Sequence, residues 1–230
     1  MRTVDQWRQA AWPIWEAIFS HPYIRGLADG SLPQAAFRYF IGQDFVYLQD
    51  FARVLTMAAA RSPDREARAT LLRHVEVAHQ VETDLHRRVA PDVGLDPTTL
   101  GGTAPGPVTR AYLDHLVRSA WERPFVAVMA AVLPCYWIYE EVGRRLALSR
   151  PDFPPYREWI ATYAGEAYGA SVAEALDIAE RSAHEAGGEA LAVARQAFWV
   201  SSRYEWLFWE QAWSEGRALR AAVLPPEPVE

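Results

Sequence analysis

The chain of 230 residues holds one cysteine, Cys135, and no asparagine. A lone thiol cannot be half of an internal disulfide, so no covalent staple closes the fold, and a reducing compartment, the cytoplasm by default, is expected. Strand signals are missing as well: apolar/polar alternation is not seen, and the hairpin dipeptide Asn-Gly does not occur. Residues 1–11 carry Arg2, Asp5 and Arg8 and lack the uninterrupted apolar core of a signal peptide. No run reads as long and apolar enough to span a bilayer, and residues 127–138 are expected to form a buried helix instead. The formal charge of -6 comes from interspersed acidic and basic residues. That leaves neither the basic stripe that nucleic acid needs nor a cationic amphipathic segment for a membrane surface, so neither is expected as a partner. Internal repeats, low-complexity tracts and interdomain linkers are absent too.

What is abundant is aromatic: ten Trp, ten Tyr and nine Phe in a chain that is 50% hydrophobic. Tyr and Trp carry polar tips into apolar surroundings, so such a chain can line an aromatic pocket or a large subunit interface. Periodicity is helical nearly throughout. Phe37, Phe40, Ile41, Asp44, Phe45, Leu48, Phe51, Val54 and Leu55 recur at three- and four-residue steps, one face of a long helix entered through Leu32-Pro33. A second helix is expected over 63–89, with Leu71, Leu72, Val75, Ala78, Val81 and Leu85 facing in. The Pro/Gly/Thr stretch 91–107 reads as a mobile or variable connection. Further helices are expected at 108–120, 124–148, 154–186 with a break near 165–169, and 189–222, with a shorter one opening the chain. The fold class is all-α, one helical domain over 1–224 with a disordered tail at 225–230.

The helical reading forces several polar residues toward the core. Cys135 and Tyr139 stack four apart within Leu133-Pro134-Cys135-Tyr136-Trp137-Ile138-Tyr139-Glu140-Glu141, and Asp44 and Tyr47 share a face three apart. Glu205 lies on one side of its helix with Ser201, Phe208 and Trp209, while Tyr112 and Tyr163 interrupt apolar faces. Each has a structural reading: free cysteine is a packing residue more often than not, tyrosine is usually core, Asp44 has Arg38 or Arg53 within reach, and Glu205 has Arg203 or Arg195. The carboxylates are the harder case, because a buried Asp or Glu without a partner costs several kcal/mol or takes up a proton.

Taken together, His21-Pro22-Tyr23-Ile24, Leu27-Ala28-Asp29-Gly30-Ser31-Leu32, Phe40-Ile41-Gly42-Gln43-Asp44-Phe45-Val46-Tyr47-Leu48, the Leu133 to Glu141 segment, Tyr163 and Tyr204-Glu205-Trp206-Leu207-Phe208-Trp209 resemble the TenA family, the thiaminase II or aminopyrimidine aminohydrolase group, in order and spacing from about Trp15 to Trp213. The resemblance implies a haem-oxygenase-like helical bundle, a homotetramer, and hydrolysis of a carbon–nitrogen bond on thiamin or on 4-amino-5-aminomethyl-2-methylpyrimidine, giving the hydroxymethylpyrimidine of thiamin salvage. By motif position it implies Cys135 as nucleophile, Glu205 as acid/base, Asp44 as anchor of the pyrimidine, and Tyr47, Tyr112, Tyr139, Tyr163 and Phe208 as the walls of the site. It places the chain in the cysteine-bearing branch of the family. A thiolate adding to an electrophilic ring carbon, helped by one glutamate serving in turn as acid and base, requires no cofactor or metal. Tyr112 is the first choice as the group that activates Cys135, proton transfer toward a carboxylate the alternative, and the sequence does not decide between them.

Two other readings stay open at this level. Related helical folds bind two irons, and Glu76 with His79, Glu82 with His86, and Glu180 with His184 have compatible spacing. A non-catalytic relative that binds the pyrimidine would keep the aromatic pocket without the chemistry. The preference between thiamin and its aminomethyl fragment is undecided, since the two share the pyrimidine half.

Overall fold

The computed structural model describes residues 1–217, with residues 81–83 described by their backbone alone. Among the described residues the secondary structure is helical, without a strand. Three short helices open the chain where one was expected: α1 (Thr3–Ala10), α2 (Trp12–Phe19) and α3 (Pro22–Asp29). Prolines in the first turns of α2 and α3 set these starts, since their missing N–H is not needed there. Gly30 ends α3 in the left-handed conformation with φ 84°.

The long helix α4 (Gln34–Arg61) follows Pro33 as expected and buries its apolar stripe together with Asp44 and Tyr47. Asp64 then caps α5 (Arg65–Val77), its carboxylate accepting from the Glu66 and Ala67 backbone N–H groups. The single helix expected over 63–89 is instead divided by a π-helical turn at Ala78–Glu82 before α6 (Thr83–Val89). A π turn inserts residues into the helical register, and beyond it both Leu85 and His86 are fully buried. The inward face of α5 also differs from expectation: Leu72 is 50% exposed, whereas His74 is buried. The side chain of Val81 lies outside the described residues.

The stretch expected to be a mobile or variable connection, 91–107, contains two short 3-10 turns and is tied down at its far end. Gln43 on α4 donates to the Ala104 carbonyl and accepts from Gly106 N–H and the Thr109 hydroxyl. Gln211 accepts from Val108 N–H and donates to Thr109. Two buried amides thus meet polar groups that a loop end carries into the core.

Helix α7 (Pro107–Glu122) leads into α8 (Phe125–Leu146), the centre of the molecule. Every residue from Val126 to Tyr139 is buried, because α8 is apolar all round and is flanked by α7, α9 (Pro154–Ala164), α10 (Glu166–Glu185) and α11 (Gly188–Trp213). By length and composition α8 could cross a membrane, a correction to the sequence reading, but its most apolar stretch is 83% buried inside the bundle, as befits a core helix. It continues through Pro134, whose ring nitrogen offers no hydrogen to the preceding turn. Gly143 lets α9 approach: a Cβ there would lie 2.5–2.7 Å from the Tyr163 and Ala164 backbone. The break expected near 165–169 falls at Gly165, which is extended and precedes α10. Helix α11 ends at Trp213 rather than 222, and the expected tail at 225–230 lies outside the described residues.

Candidate active site

Five helices converge on one buried region and bring together all eight residues singled out in the sequence. Helix α4 supplies Asp44 and Tyr47, α7 Tyr112, α8 Cys135 and Tyr139, α9 Tyr163, and α11 Glu205 and Phe208. Each pair within a helix is three or four residues apart, so both members face the same way. Close packing at Gly143 sets the Tyr163 ring 4.9 Å from that of Tyr139. The Tyr47 ring lies 5.1 Å from Tyr112 and 5.8 Å from Phe208. The result is an aromatic enclosure with a thiol and two carboxyl groups inside. Cys135, 8% exposed, is the most accessible of the eight.

The carboxyl groups have partners that the sequence did not suggest. Asp44 Oδ2 accepts from His86 Nε2 at 3.0 Å, both groups being buried, while Arg53 pairs with Asp50 on the surface. Glu205 Oε1 accepts from the Tyr112 hydroxyl at 2.8 Å, and the Arg203 guanidinium lies over the Trp199 ring. A phenol compensates a buried negative charge poorly. Burial therefore pushes Glu205 up to about 8, the Tyr112 hydrogen bond opposing this and the Asp44 charge adding to it. At neutral pH Glu205 holds a proton. Tyr47, Tyr112 and Tyr139 are pushed well above 10, mainly by burial, so they act as neutral hydroxyls.

The Tyr47 hydroxyl has no hydrogen-bond partner of good geometry, yet it faces the Cys135 sulfur and the Tyr112 hydroxyl closely enough to feel both. Tyr112, the expected activator of the thiol, instead has its hydrogen directed at Glu205. Tyr47 and Tyr112 thus face this region as neutral hydroxyls rather than as bases.

His86 was missed as a site residue because its sequence signal, four residues after Glu82, pointed to a metal. In the fold its Nε2 is committed to Asp44. The side chain of Glu82 lies outside the described residues, Glu76 accepts from Gln80, and His184 pairs with Glu180 at the surface. Among the described residues no three His, Cys, Asp or Glu side chains gather as a metal site would need. His74 and Tyr136, beside Cys135 in space, had no signal in their own flanks.

A helical bundle enclosing a thiol, a proton-bearing glutamate and a histidine-held aspartate within aromatic walls has the layout of a site that binds a small, flat, polar molecule away from water. The chain belongs to the TENA/THI-4/PQQC family, whose model matches residues 8–215. It is 34% identical over 93% of its length to an aminopyrimidine aminohydrolase of Bacillus subtilis, covering 90% of that protein, and 32% identical over 90% of its length to one from Halalkalibacterium halodurans, covering 93% of it. Among solved structures it is similar to a TenA homologue from P. horikoshii, with a TM-score of 0.85 and 27% identity over 94% of this chain and all of that one. A domain with a heme oxygenase-like fold from Shewanella denitrificans, 14% identical with a TM-score of 0.72 over 92% of each chain, shares the fold.

Proposed function

We propose that the protein is an aminopyrimidine aminohydrolase (thiaminase II) of thiamin salvage that hydrolyses 4-amino-5-aminomethyl-2-methylpyrimidine, and thiamin where the larger leaving group is accepted, to the hydroxymethylpyrimidine. The observation that carries this reading is the buried Glu205, hydrogen-bonded to Tyr112 in the same enclosure as Cys135 and the Asp44–His86 pair, where burial raises its proton affinity. The names of the relatives support the substrate class.

In this reading the flat ring stacks among Tyr47, Tyr139, Tyr163 and Phe208, with Asp44 accepting from its ring nitrogen and amino group. The Cys135 sulfur adds to a ring carbon. As the exocyclic carbon–nitrogen bond breaks, Glu205 gives its proton to the departing amine. Water then adds to the methylene carbon while the Glu205 carboxylate takes the water's proton, and the sulfur leaves the ring. A carboxyl whose proton affinity lies near neutrality can serve both steps. The test is turnover of both substrates by the purified protein, with Cys135→Ser as control. Near wild-type hydrolysis by that variant would remove the nucleophile, and binding of hydroxymethylpyrimidine with turnover of neither substrate would favour a binding protein.

A cytoplasmic homotetramer completes the proposal. Trp7 and Trp159 are core residues, whereas Trp121 is 76% exposed beside Val117 on the same face of α7, which offers apolar surface for a subunit contact. Light scattering should give about four times the 26.0 kDa of the chain.

A further inference from the structure

The mechanism requires the Cys135 thiol to lose its proton, and the phenols that feel the sulfur inside the enclosure are poor bases for it. Tyr47, Tyr112 and Tyr139 are neutral phenols, and Glu205 is already protonated at neutral pH. Cys135 also borders a second, small cavity of about 30 Å³, walled by Phe51, His74, Val77, Tyr136 and Tyr168. That is room for about one water, with the Tyr136 and Tyr168 hydroxyls on its wall to bind it.

At this cavity lies a string of hydrogen bonds that leads to solvent. His74 Nε2 is 2.8 Å from Glu174 Oε2, and His74 Nδ1 is 3.1 Å from the Tyr136 hydroxyl. A carboxylate only accepts, so Nε2 carries the hydrogen, leaving on Nδ1 a lone pair that accepts from Tyr136. Glu174, on α10, is 46% exposed and is also held by Arg73 at 3.2 Å. The imidazole itself is buried, which lowers its proton affinity in spite of Glu174 and leaves it neutral at neutral pH. The titratable and charged groups around it are Glu174 from α10, Tyr136 and, across the cavity, Cys135 from α8, Tyr168 from α10, and Arg73 on its own helix. A histidine oriented by a carboxylate, whose other nitrogen accepts from a hydroxyl at the cavity that Cys135 borders, is placed to act as a general base through that hydroxyl.

We propose that His74 receives the proton of Cys135, relayed by a water in the cavity and the Tyr136 hydroxyl. The proposal rests on the reading of Cys135 as the nucleophile. As the sulfur bonds to the ring carbon, the S–H proton passes to the water, a proton of that water passes to Tyr136 Oη, and the Tyr136 hydroxyl proton passes to His74 Nδ1. The imidazolium so formed sits against the Glu174 carboxylate. When the sulfur is expelled the protons return along the same path, so the cycle closes without a net change.

Because Cys135 is the only cysteine in the chain, iodoacetamide alkylation of the purified protein reports on it alone. In the wild type the rate should rise as His74 becomes neutral, below pH 6.5, and then level off. In Tyr136→Phe and His74→Gln the rise should move toward the range of an ordinary thiol, about 8.5, slowing alkylation at pH 7 by about tenfold or more. Glu174→Gln should move it less. Tyr136→Phe removes a single hydroxyl and keeps the ring, so it serves as the test even where His74→Gln fails to fold. Superimposable profiles for wild type and Tyr136→Phe would overturn the proposal. No substrate is present in this measurement, so its failure is distinct from failure of the hydrolase reading, which wild-type turnover decides. In turnover, Tyr136→Phe should lower kcat with KM unchanged.

Discussion

Glu205 and Glu210 lie five residues apart on α11, and both are buried, yet their surroundings differ in kind. Glu210 meets His21 Nε2 at 3.0 Å, and the other nitrogen of that ring accepts from Tyr23 N–H to cap α3. Glu205 meets a phenol and lies within the field of Asp44. The histidine gives Glu210 a partner able to match its charge and ties α11 to the start of α3, a structural use of a buried carboxyl. The phenol gives Glu205 one hydrogen bond and no charge, so its proton affinity rises into the range where a group can both give and take a proton. Burial alone does not make a carboxyl reactive; the identity of the partner does.

The comparison can be tested directly. Glu205→Gln keeps the shape and the hydrogen bond from Tyr112 but removes the transferable proton, and should lower hydrolysis by roughly 10²–10⁴-fold without loss of fold, as seen by steady-state kinetics beside circular dichroism. His21→Ala should do the reverse. Leaving Glu210 buried without its histidine should cost about 3–5 kcal/mol, a fall in Tm of roughly 10 °C, while the folded fraction keeps its turnover number.

His86→Leu strands Asp44 in the same way but inside the site, so there the expected effect is on binding. KM for the aminomethylpyrimidine should rise about 10-fold or more, at roughly 1.4 kcal/mol per factor of ten, and His86→Gln, which can still donate, should recover part of it. Equal constants for His86→Leu and the wild type would detach this histidine from the pyrimidine anchor.

A separate effect is expected in stability against pH. A carboxyl whose folded-state value is raised from 4.5 to about 8 binds its proton more tightly in the native state than in the unfolded one. Native stability therefore falls as pH rises from 4.5 to 8 on account of this group. Denaturation of Glu205→Gln should show it gaining on the wild type across that interval, by up to roughly 5 kcal/mol, whereas no gain would contradict the raised value. Above pH 8, hydrolysis should weaken as the acid form of Glu205 is lost.

Much of the architecture was legible from spacing alone. The 28-residue α4 follows from its apolar steps, α8 from its apolar run between Pro124 and the charged turn at Arg144-Arg145, and the division of α9 from α10 from Gly165. Local pattern failed where a long-range contact overrode it. Leu72 is exposed while His74 turns inward because Tyr136 and Glu174, from α8 and α10, provide partners for its ring. The loop ending at Gly106 is pinned because Gln43 and Gln211 reach it from helices 60 to 100 residues distant in sequence. The eight site residues could be named from the order of their motifs, but not their couplings: Tyr112 to Glu205, Tyr47 to the thiol and His86 to Asp44 all join different helices.

The sequence by itself determined that the molecule is helical, which faces of its longest helices are apolar, and that a thiol, two carboxyl groups and several tyrosines are carried into the core. The physical reason is that periodicity and side-chain polarity are local properties. The tertiary structure decided which of those groups meet. Proton affinity depends on lost water and on neighbours contributed by other helices, so it was packing that left Glu205 protonated beside a phenol, placed Asp44 against His86, and brought the cavity of His74 and Tyr136 against Cys135.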